Sequence, residues 1–229
     1  VCLGERECSV QRKNQKLIEE SPCSAIDDDI RQAMSEAAAK AAKAVDYNSV
    51  GTIEFLLDKD KNFYFMEMNT RLQVEHGITE MISNVDIVRE QINIAAGNPL
   101  SFKQEDIKLY GHAIECRINA EDPDRNFLPA PGEINGYITP GGLGVRVDSH
   151  VYSGYKIPPY YDSLISKLMC WAPTREEARR RMYRALKEYV ITGVKTTLPF
   201  YQELIEDEVF ISGVFDTGFM NTYKQNNKE

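Results

Sequence analysis

Apolar and polar residues alternate in two neighbouring segments within the first hundred residues. Residues 50–58 read VGTIEFLLD, residues 63–69 read FYFMEMN, and the polar stretch DKDKN connects them. A period of two is typical of a β-strand, and a short polar connection between two such runs indicates a hairpin. We therefore predict an antiparallel β-hairpin between residue 50 and residue 69.

Three other segments repeat apolar residues every three or four positions, which is the period of an amphipathic helix. The first spans residues 27–46 and opens with three aspartates, which favour a helix N-terminus. The second spans residues 86–96 and stops before Gly97. The third begins at Thr174, where Thr174 and Glu177 have the spacing of a capping box. We predict one helix in each segment.

The chain beyond residue 110 is rich in strand-like segments that are separated by stretches with proline and glycine. These segments cover residues 111–119, 133–139, 144–150 and 164–171. The fold class that we predict is α+β with mainly antiparallel strands. The change near residue 110 from mixed segments to strand-rich segments predicts two domains, 1–109 and 110–229.

Composition and charge narrow the function classes. Of the 229 residues, 42% are hydrophobic and 27% are charged, as in ordinary soluble globular proteins. The net charge of −8 argues against nonspecific nucleic-acid binding. The five cysteines lack metal-ligand spacing, so we expect reduced thiols in a cytoplasmic protein. No apolar run has the length of a membrane span, and the first residue, Val1, indicates a fragment of a longer protein.

The predicted hairpin places two carboxylates opposite each other. If the turn is centred between Asp60 and Lys61, Glu54 lies opposite Glu67 on the same face. Like charges in this position are destabilising, and a hard divalent cation such as Mg²⁺ or Mn²⁺ would relieve the repulsion. Asn69 adds an amide oxygen on that face. A solvated hairpin face with a different register accounts for the same spacing without a metal.

The period of two continues past the hairpin with Arg71, Gln73 and Glu75. If the chain stayed extended, these side chains would share the face of Glu67 and Asn69. A guanidinium is suited to bidentate binding of a planar anion, and a glutamate is a candidate general base. The alternative is a structural ion pair between Arg71 and Glu75 that has no role in catalysis.

Three longer motifs carry a family resemblance: MEMNTRLQVEHGITE from residue 66, GHAIECRINAEDP from residue 111 and PPYYDSLISKL from residue 158. In this order they resemble the biotin carboxylase family, the ATP-grasp component of acetyl-CoA carboxylase and related biotin-dependent carboxylases. The resemblance covers nearly the whole chain, from LGERECSVQRKNQK to about ITGVKTTLPF. It implies that residues 1–109 are the C-terminal part of an ATP-grasp domain and that residues 110–229 are a strand-rich biotin carboxylase C-terminal domain.

The resemblance implies roles for residues of the hairpin and the segment after it. Glu54 and Glu67 match metal-binding glutamates that contact the nucleotide, and Asn69 matches a further metal ligand. Arg71 matches a catalytic arginine that engages bicarbonate, and Glu75 matches the base that deprotonates it.

Other residues match substrate-binding positions of the family. Gln73 and the backbone of Val74 match the place where bicarbonate is held. Arg117 matches a catalytic arginine at the biotin and carboxyphosphate end of the pocket, and Lys16 matches an anion-contacting lysine.

The match to the nucleotide-contacting motif is incomplete. Gln11 lies in the same motif as Lys16, where the resemblance implies contact with ATP. At Asn14 the family usually has a histidine that contacts the nucleotide. Asparagine donates a hydrogen bond but carries no charge, so the role of Asn14 stays open.

The resemblance also implies cofactors and partners. The reaction uses ATP as a substrate, two Mg²⁺ or Mn²⁺ ions, and biotin attached to a carrier protein. The implied partners are the biotin carboxyl carrier protein, carboxyltransferase subunits and a second copy of the chain, with Leu143 and Arg146 as candidate dimer contacts. No nucleic-acid or membrane partner is expected.

Two other functions compete with this one. Another ATP-grasp carboxylate-amine ligase, or a carbamoyl phosphate synthetase-like domain, would share Glu54, Glu67 and Asn69 but is expected to lack RLQVEH together with ECRINAEDP. A regulatory or scaffold domain would keep these residues as relics. The glycine-rich lid of the family is not found upstream of Gln11, so we expect the fragment alone to have little or no carboxylase activity.

Overall fold

A computed structural model shows a mixed α+β fold and describes residues 1–226, with side chains described as far as Tyr223. The strands are β1 (Glu7–Arg12), β2 (Gln15–Ser21), β3 (Thr52–Leu57), β4 (Phe63–Asn69), β5 (His112–Asn119), β6 (Glu121–Asp122), β7 (Leu128–Pro129), β8 (Gly136–Ile138), β9 (Val145–Ser149), β10 (Leu164–Ala172) and β11 (Val190–Thr192). The helices are α1 (Asp28–Ala44), α2 (His76–Ser83), α3 (Ile87–Ala95), α4 (Arg175–Glu188), α5 (Leu198–Leu204), α6 (Glu208–Ser212) and α7 (Phe219–Asn226), with short 3₁₀ helices at Gln104–Asp106 and Pro123–Arg125.

The chain divides into two units. The first comprises Val1–Glu7 and Ser21–Tyr110, and the second comprises Cys8–Glu20 and the chain from Gly111 onward. Residues 8–20, which the predicted division assigns to the first domain, belong to the second unit because β2 is hydrogen-bonded to β5. As functional domains, 1–109 and 110–229 stay a prediction.

In the β3–β4 hairpin of the first unit, β4 has the predicted bounds, β3 is shorter than the predicted 50–58, and the pairing contains an unpredicted bulge. Glu54 pairs with Glu67, as the spacing predicts. On the turn side of this pair, Phe55 is opposite Phe65, so Met66 is the extra residue of a β-bulge. The bulge moves the centre of the turn from the predicted point between Asp60 and Lys61 onto Asp60.

Side-chain hydrogen bonds of Asp58 shape this turn. Its Oδ1 accepts the backbone N–H groups of Asp60, at 2.9 Å, and of Asn62, at 2.8 Å. Lys61 has a φ of 66°, in the left-handed region. An aspartate that binds backbone groups two and four residues later favours this longer turn over a two-residue one.

The chain is not extended beyond Asn69, so the condition for a shared face is not met. Strand β4 ends at Asn69, and helix α2 begins at His76. The helix forms because Ile78 and Ile82, four residues apart, are 0% and 2% exposed, and their burial outweighs the alternation of the preceding residues. Arg71, Gln73 and Glu75 therefore lie in a connecting segment, and the period of two does not place them on one face.

Helices α1 and α3 agree with their predicted segments to within two residues. Asp27 is the N-cap of α1, and its Oδ1 accepts the N–H of Ile30 at 3.0 Å. Asp86 is the N-cap of α3, and its Oδ1 accepts the N–H of Arg89 at 2.8 Å. Both helix starts follow from a local side-chain signal that is visible in the sequence.

The second unit is built on a five-stranded sheet in the order β1-β2-β5-β10-β9. Strand β10 runs antiparallel to β5 and to β9, as the mainly antiparallel class predicts. Helix α4 begins at the predicted capping box, in which Thr174 Oγ1 accepts the N–H of Glu177 and Thr174 N–H donates to Glu177 Oε2. The core contains residues of the central strands and of α4, with Ile114, Cys116, Leu168 and Met182 at 0% exposure.

Helices α5, α6 and α7 were not predicted. Their buried residues include Tyr201 and Phe210, both fully buried, together with Phe219 and Tyr223. These aromatic residues join the core of the second unit. The short helices have weak periodicity of their own, so their burial in the tertiary fold accounts for them better than local sequence does.

All five cysteines are free thiols in the structure. Within residues 1–226, no helix combines the length and the apolar character that crossing a bilayer requires.

Candidate functional site

The opposed carboxylates of Glu54 and Glu67 share one amide group. Asn69 Nδ2 donates to Glu54 Oε1 at 3.1 Å and to Glu67 Oε1 at 2.8 Å. The three side chains therefore meet on one face of the hairpin, as the predicted register requires. Glu54 is half-buried and Glu67 is exposed, so the pair opens toward solvent on the side of β4.

The two carboxylates suit a hard divalent cation, whereas Asn69 directs its amide nitrogen to them and its Oδ1 to Arg71, so its amide would have to rotate to act as a ligand. Carboxylate and amide oxygens are the ligands that Mg²⁺ and Mn²⁺ prefer, and Mg²⁺ is usually held by one or two carboxylates together with phosphate oxygens. In the described part of the chain, no group of three or more His, Cys, Asp or Glu side chains is placed to hold a metal ion. A cation at Glu54 and Glu67 would therefore depend on neutral or substrate oxygens for its other ligands.

Gln73 extends this network from the connecting segment. Its Nε2 donates to Glu54 Oε1 at 2.6 Å, although Gln73 is 19 positions away in the chain. The side chain is buried, with 6% of the residue exposed. Gln73 therefore reaches the predicted metal residues from a connecting segment that is not part of the strand.

Arg71 and Glu75 have different surroundings. Arg71 is exposed, and it donates to Asn69 Oδ1 at 3.2 Å and to the carbonyl oxygen of Leu72 at 3.2 Å. Glu75 is 2% exposed and stands at the N-cap of α2, where the helix dipole favours a negative charge. The hydrogen bonds of the Arg71 guanidinium thus end on Asn69 and Leu72 and not on Glu75. Val74, between Gln73 and Glu75, is half-buried.

Arg6 completes the network and was missed in the sequence. Its Nη2 donates to Gln73 Oε1 at 2.6 Å and to Thr52 Oγ1 at 3.0 Å, and its Nη1 donates to Thr79 Oγ1 at 3.0 Å. The charged run ERECSVQRK around Arg6 has no spacing that distinguishes one residue. Only the fold brings Arg6 to Gln73, which is 67 residues away.

The other predicted site residues lie in the second unit. Arg117, on β5, binds the fully buried Glu19 on β2, with Nε at 2.6 Å and Nη2 at 2.5 Å from Oε1. Lys16 and Gln11 are half-buried residues of β2 and β1, respectively. The salt bridge between Arg117 and Glu19 fixes the Arg117 guanidinium against the central sheet.

Asn14 occupies the turn between β1 and β2. Lys13 and Asn14 have φ values of 50° and 63°, as in a type I′ turn of two residues. Asparagine enters the left-handed region more readily than other residues with a Cβ atom, except aspartate. The turn therefore gives a structural reason for asparagine at this position.

A buried ionic cluster in the second unit was also missed. Glu20 Oε2 accepts from His112 Nε2 at 2.8 Å and from Arg175 Nε at 2.7 Å, and Glu20 Oε1 accepts from Arg175 Nη2 at 2.8 Å. Burial raises the pKa of Glu20, but the hydrogen bonds from His112 and Arg175 outweigh burial and hold that pKa below its usual value. The cluster joins β2, β5 and the first turn of α4.

The two candidate dimer contacts lie at the start of β9. Leu143 is 84% exposed in the loop before the strand. Arg146 is bound to Asp148, with Nε to Oδ1 at 2.8 Å and Nη2 to Oδ2 at 2.9 Å. An exposed leucine of this kind is compatible with a contact surface, while Arg146 is held by its own strand.

Two family models match the chain. The model described as "Carbamoyl-phosphate synthase L chain, ATP binding domain" matches residues 1–103. The model described as "Biotin carboxylase C-terminal domain" matches residues 115–222.

Curated relatives match almost the whole chain. "Biotin carboxylase 1" of Bacillus subtilis (strain 168) is 59% identical over 222 residues, which are 96% of this chain and 49% of the relative. "Biotin carboxylase, chloroplastic" of Arabidopsis thaliana is 55% identical over 98% of this chain and 42% of the relative. The chain spans about half the length of the curated relatives it matches.

Solved structures show the same fold. The biotin carboxylase domain dimer of Hydrogenobacter thermophilus 2-oxoglutarate carboxylase, in complex with MgADP, ADP and bicarbonate, matches with a TM-score of 0.95 and 51% identity over 97% of this chain and 49% of that chain. A complete multifunctional pyruvate carboxylase from Rhizobium etli matches with a TM-score of 0.93 and 43% identity over 96% of this chain and 22% of that chain.

Proposed function

Since this chain belongs to the biotin carboxylase family, we propose that the protein containing it uses ATP and bicarbonate to carboxylate biotin on a carrier protein. One observation carries this proposal: Glu54 and Glu67 face each other across the hairpin, and Asn69 bridges them. The same unit contains Arg71, whose guanidinium is suited to bind the bicarbonate anion, and Glu75, whose carboxylate is suited to accept its proton. Activation of bicarbonate by ATP needs both groups of residues.

In this proposal residues 1–109 are the C-terminal part of an ATP-grasp domain, and residues 110–229 are the biotin carboxylase C-terminal domain. The matches of an ATP-binding model and of a biotin carboxylase model to consecutive parts of the chain support this division. Another ATP-grasp ligase or a carbamoyl phosphate synthetase-like domain would account for the first match alone, so the second match favours biotin carboxylase.

The hairpin residues fit a divalent cation. Glu54, Glu67 and Asn69 would hold Mg²⁺ or Mn²⁺, one of the two ions that the reaction requires. When bound, such an ion neutralises the charge of the ATP phosphates. The bound MgADP in the related 2-oxoglutarate carboxylase domain supports Mg²⁺ as the physiological ion.

The segment after the hairpin would bind and activate bicarbonate. The exposed guanidinium of Arg71 presents N–H groups to the planar anion, while Gln73 and the backbone of Val74 complete its contacts. A carboxylate oxygen of Glu75 accepts the hydroxyl proton of bicarbonate, which makes the anion a stronger nucleophile toward the γ-phosphorus of ATP. The attack forms the O–P bond of carboxyphosphate and breaks the bond from the γ-phosphorus to the β-phosphate oxygen, so that ADP leaves. Carboxyphosphate then breaks down to CO₂ and phosphate. Burial of Glu75 keeps bulk water from competing for its proton.

Residues of the second unit have the remaining proposed roles. Arg117 stabilises negative charge on the ureido oxygen of biotin, and its salt bridge with Glu19 holds the guanidinium in one orientation before the reaction. Lys16 contacts an anionic substrate group, and Gln11 contacts ATP. Asn14 has the backbone role in the turn and, as an uncharged donor, a nucleotide contact weaker than that of histidine.

The proposed partners are a biotin carboxyl carrier protein, carboxyltransferase subunits and a second copy of the chain. The dimeric biotin carboxylase domain of the Hydrogenobacter relative supports a homodimer. Leu143 and Arg146 are the contacts that we propose for it. Five free thiols support a reducing, cytoplasmic location.

The direct test is an assay of the full-length protein with free biotin and ¹⁴C-bicarbonate. The proposal predicts that label enters biotin only when ATP and Mg²⁺ are both present. Transfer of the activated group to an amine, with no labelled biotin, would support the ligase alternative instead. Absence of any bicarbonate-dependent ATP cleavage would contradict both.

A further inference from the structure

Arg6 contacts the three elements that carry the proposed bicarbonate and cation residues. Through Thr52 it is bound to β3, two residues before Glu54. Through Thr79 it is bound to α2, whose N-cap is Glu75. Through Gln73 it is bound to the connecting segment between the hairpin and the helix. A single guanidinium thus ties the carboxylate hairpin to the helix that begins at the proposed base.

The contacts of Gln73 fix the orientation of its amide. A guanidinium only donates hydrogen bonds and an ionised carboxylate only accepts them. Because Arg6 binds the amide oxygen and Glu54 binds the amide nitrogen, each at 2.6 Å, rotation of the amide by half a turn would break both bonds. Arg6 therefore determines which end of Gln73 faces Glu54.

The hydrogen bonds of Arg6 differ from those of Arg31 in the same unit. The three that its guanidinium donates to Thr52, Gln73 and Thr79 end on uncharged oxygens. Arg31, a half-buried arginine of the same unit, instead donates to the carboxylate of Glu5 at 2.9 Å. The positive charge of Arg6 acts on Glu54 through the amide of Gln73, and such a chain of hydrogen bonds strengthens each of its members.

We propose that Arg6 is a positioning residue: through Gln73 it holds the Glu54 carboxylate and the bicarbonate-binding segment in one fixed arrangement. This rests on the function proposed above for Glu54 and Gln73. Arginine is required because its planar fork reaches three acceptors at once, which the single ammonium of lysine does not.

The test compares Arg6→Lys with Arg31→Lys in the full-length protein. Both variants keep the charge, and both replace a half-buried arginine of the first unit. We expect Arg6→Lys to raise the KM for bicarbonate about tenfold and to weaken Mn²⁺ binding, titrated by electron paramagnetic resonance, about tenfold, as for other residues that orient metal ligands. The KM for ATP should change by less than about twofold in the Arg31→Lys control. Thermal unfolding checks that the variants are folded, and Arg6→Ala gives the limit in which all three bonds are absent.

An unchanged bicarbonate KM in Arg6→Lys, or an equal rise in Arg31→Lys, would overturn the positioning role. If the wild-type protein shows no bicarbonate-dependent ATP cleavage, the proposed function fails. The role of Arg6 is then tested by the Mn²⁺ titration only. In that case weaker Mn²⁺ binding by Arg6→Lys supports the role, and equal binding by Arg6→Lys and wild type overturns it.

Discussion

At the scale of the residue, the carboxylates of Glu54 and Glu67 accept hydrogen bonds from neutral side-chain amides. The hydrogen bonds described for their carboxylates come from the amides of Asn69 and Gln73. Amide donors reduce the repulsion between the two carboxylates without cancelling their charge. Two like charges directly opposite each other attract a divalent cation, at some expense in stability.

Replacing one of the carboxylates should separate function from stability. In buffer without divalent cations, we expect Glu67→Gln to raise the free energy of unfolding by roughly 0.2–1 kcal/mol, because it removes a directly opposed like charge. Urea unfolding with a chelator present measures this, with Glu36→Gln, an exposed carboxylate of α1, as the matched control. A lower free energy of unfolding for Glu67→Gln than for the control would contradict the account.

The Glu20 cluster makes the stability depend on pH. The pKa of Glu20 is lower in the folded state than in the unfolded chain, so its contribution is present above the unfolded pKa and is lost as the pH falls through the folded pKa. We expect the free energy of unfolding to fall below about pH 5 in the wild type, and to fall less steeply in Glu20→Gln. Denaturant unfolding between pH 3 and pH 7 gives the two slopes, and equal slopes would contradict the assignment.

At the scale of the element, prediction succeeded where the signal was local. The helix starts at Asp27, Asp86 and Thr174 each depend on a side chain that caps its own backbone, and the sequence displays these residues directly. The pairing of Glu54 with Glu67 agrees with the prediction because the bulge at Met66 offsets the one-half-residue shift of the turn. The bulge itself was not predictable, because it depends on the turn that Asp58 selects.

Elements that depend on burial in the tertiary fold were missed. Helix α2 owes its formation to the buried Ile78 and Ile82, whereas the sequence before it alternates like a strand. Arg6 has its partners 46 to 73 residues along the chain, so no local pattern could identify it. The hairpin part of the candidate site could therefore be predicted from the sequence. The contacts that hold Gln73 in place could not.

The turn between β1 and β2 supplies a test at this scale. Because Asn14 has a φ of 63°, we expect Asn14→Ala to destabilise the protein by about 1 kcal/mol, the order of the left-handed penalty for a residue with a Cβ atom. Asn14→Gly should be close to neutral. Thermal or denaturant unfolding distinguishes the two, and an equal loss in both variants would show that the side chain and not the backbone conformation matters.

At the scale of the whole molecule, the chain contains part of the machinery that the proposed reaction needs. The chain matches two family models and spans about half of each curated relative, and we expect other parts of the full-length protein to contribute to the proposed reaction. The proposed cation and bicarbonate residues lie in the first unit, and Arg117 lies in the second.

The 229-residue chain alone should therefore have little or no biotin carboxylase activity. The expected rate of ATP-dependent carboxylation of free biotin is at the level of a reaction without enzyme, whereas the full-length protein should turn over in the same assay. The chain must first be shown to be folded, by circular dichroism and a cooperative thermal transition. Measurable carboxylation by the chain alone would contradict this expectation.

The most direct test of the account is the affinity of the full-length protein for Mn²⁺ in the presence of a non-hydrolysable ATP analogue. If Glu54 and Glu67 hold the cation together, Glu54→Gln and Glu67→Gln should each weaken Mn²⁺ binding by about tenfold or more, while Glu36→Gln binds like the wild type. Electron paramagnetic resonance measures the free ion directly. Unchanged affinity in both hairpin variants would contradict the central claim that the opposed carboxylates form the cation site.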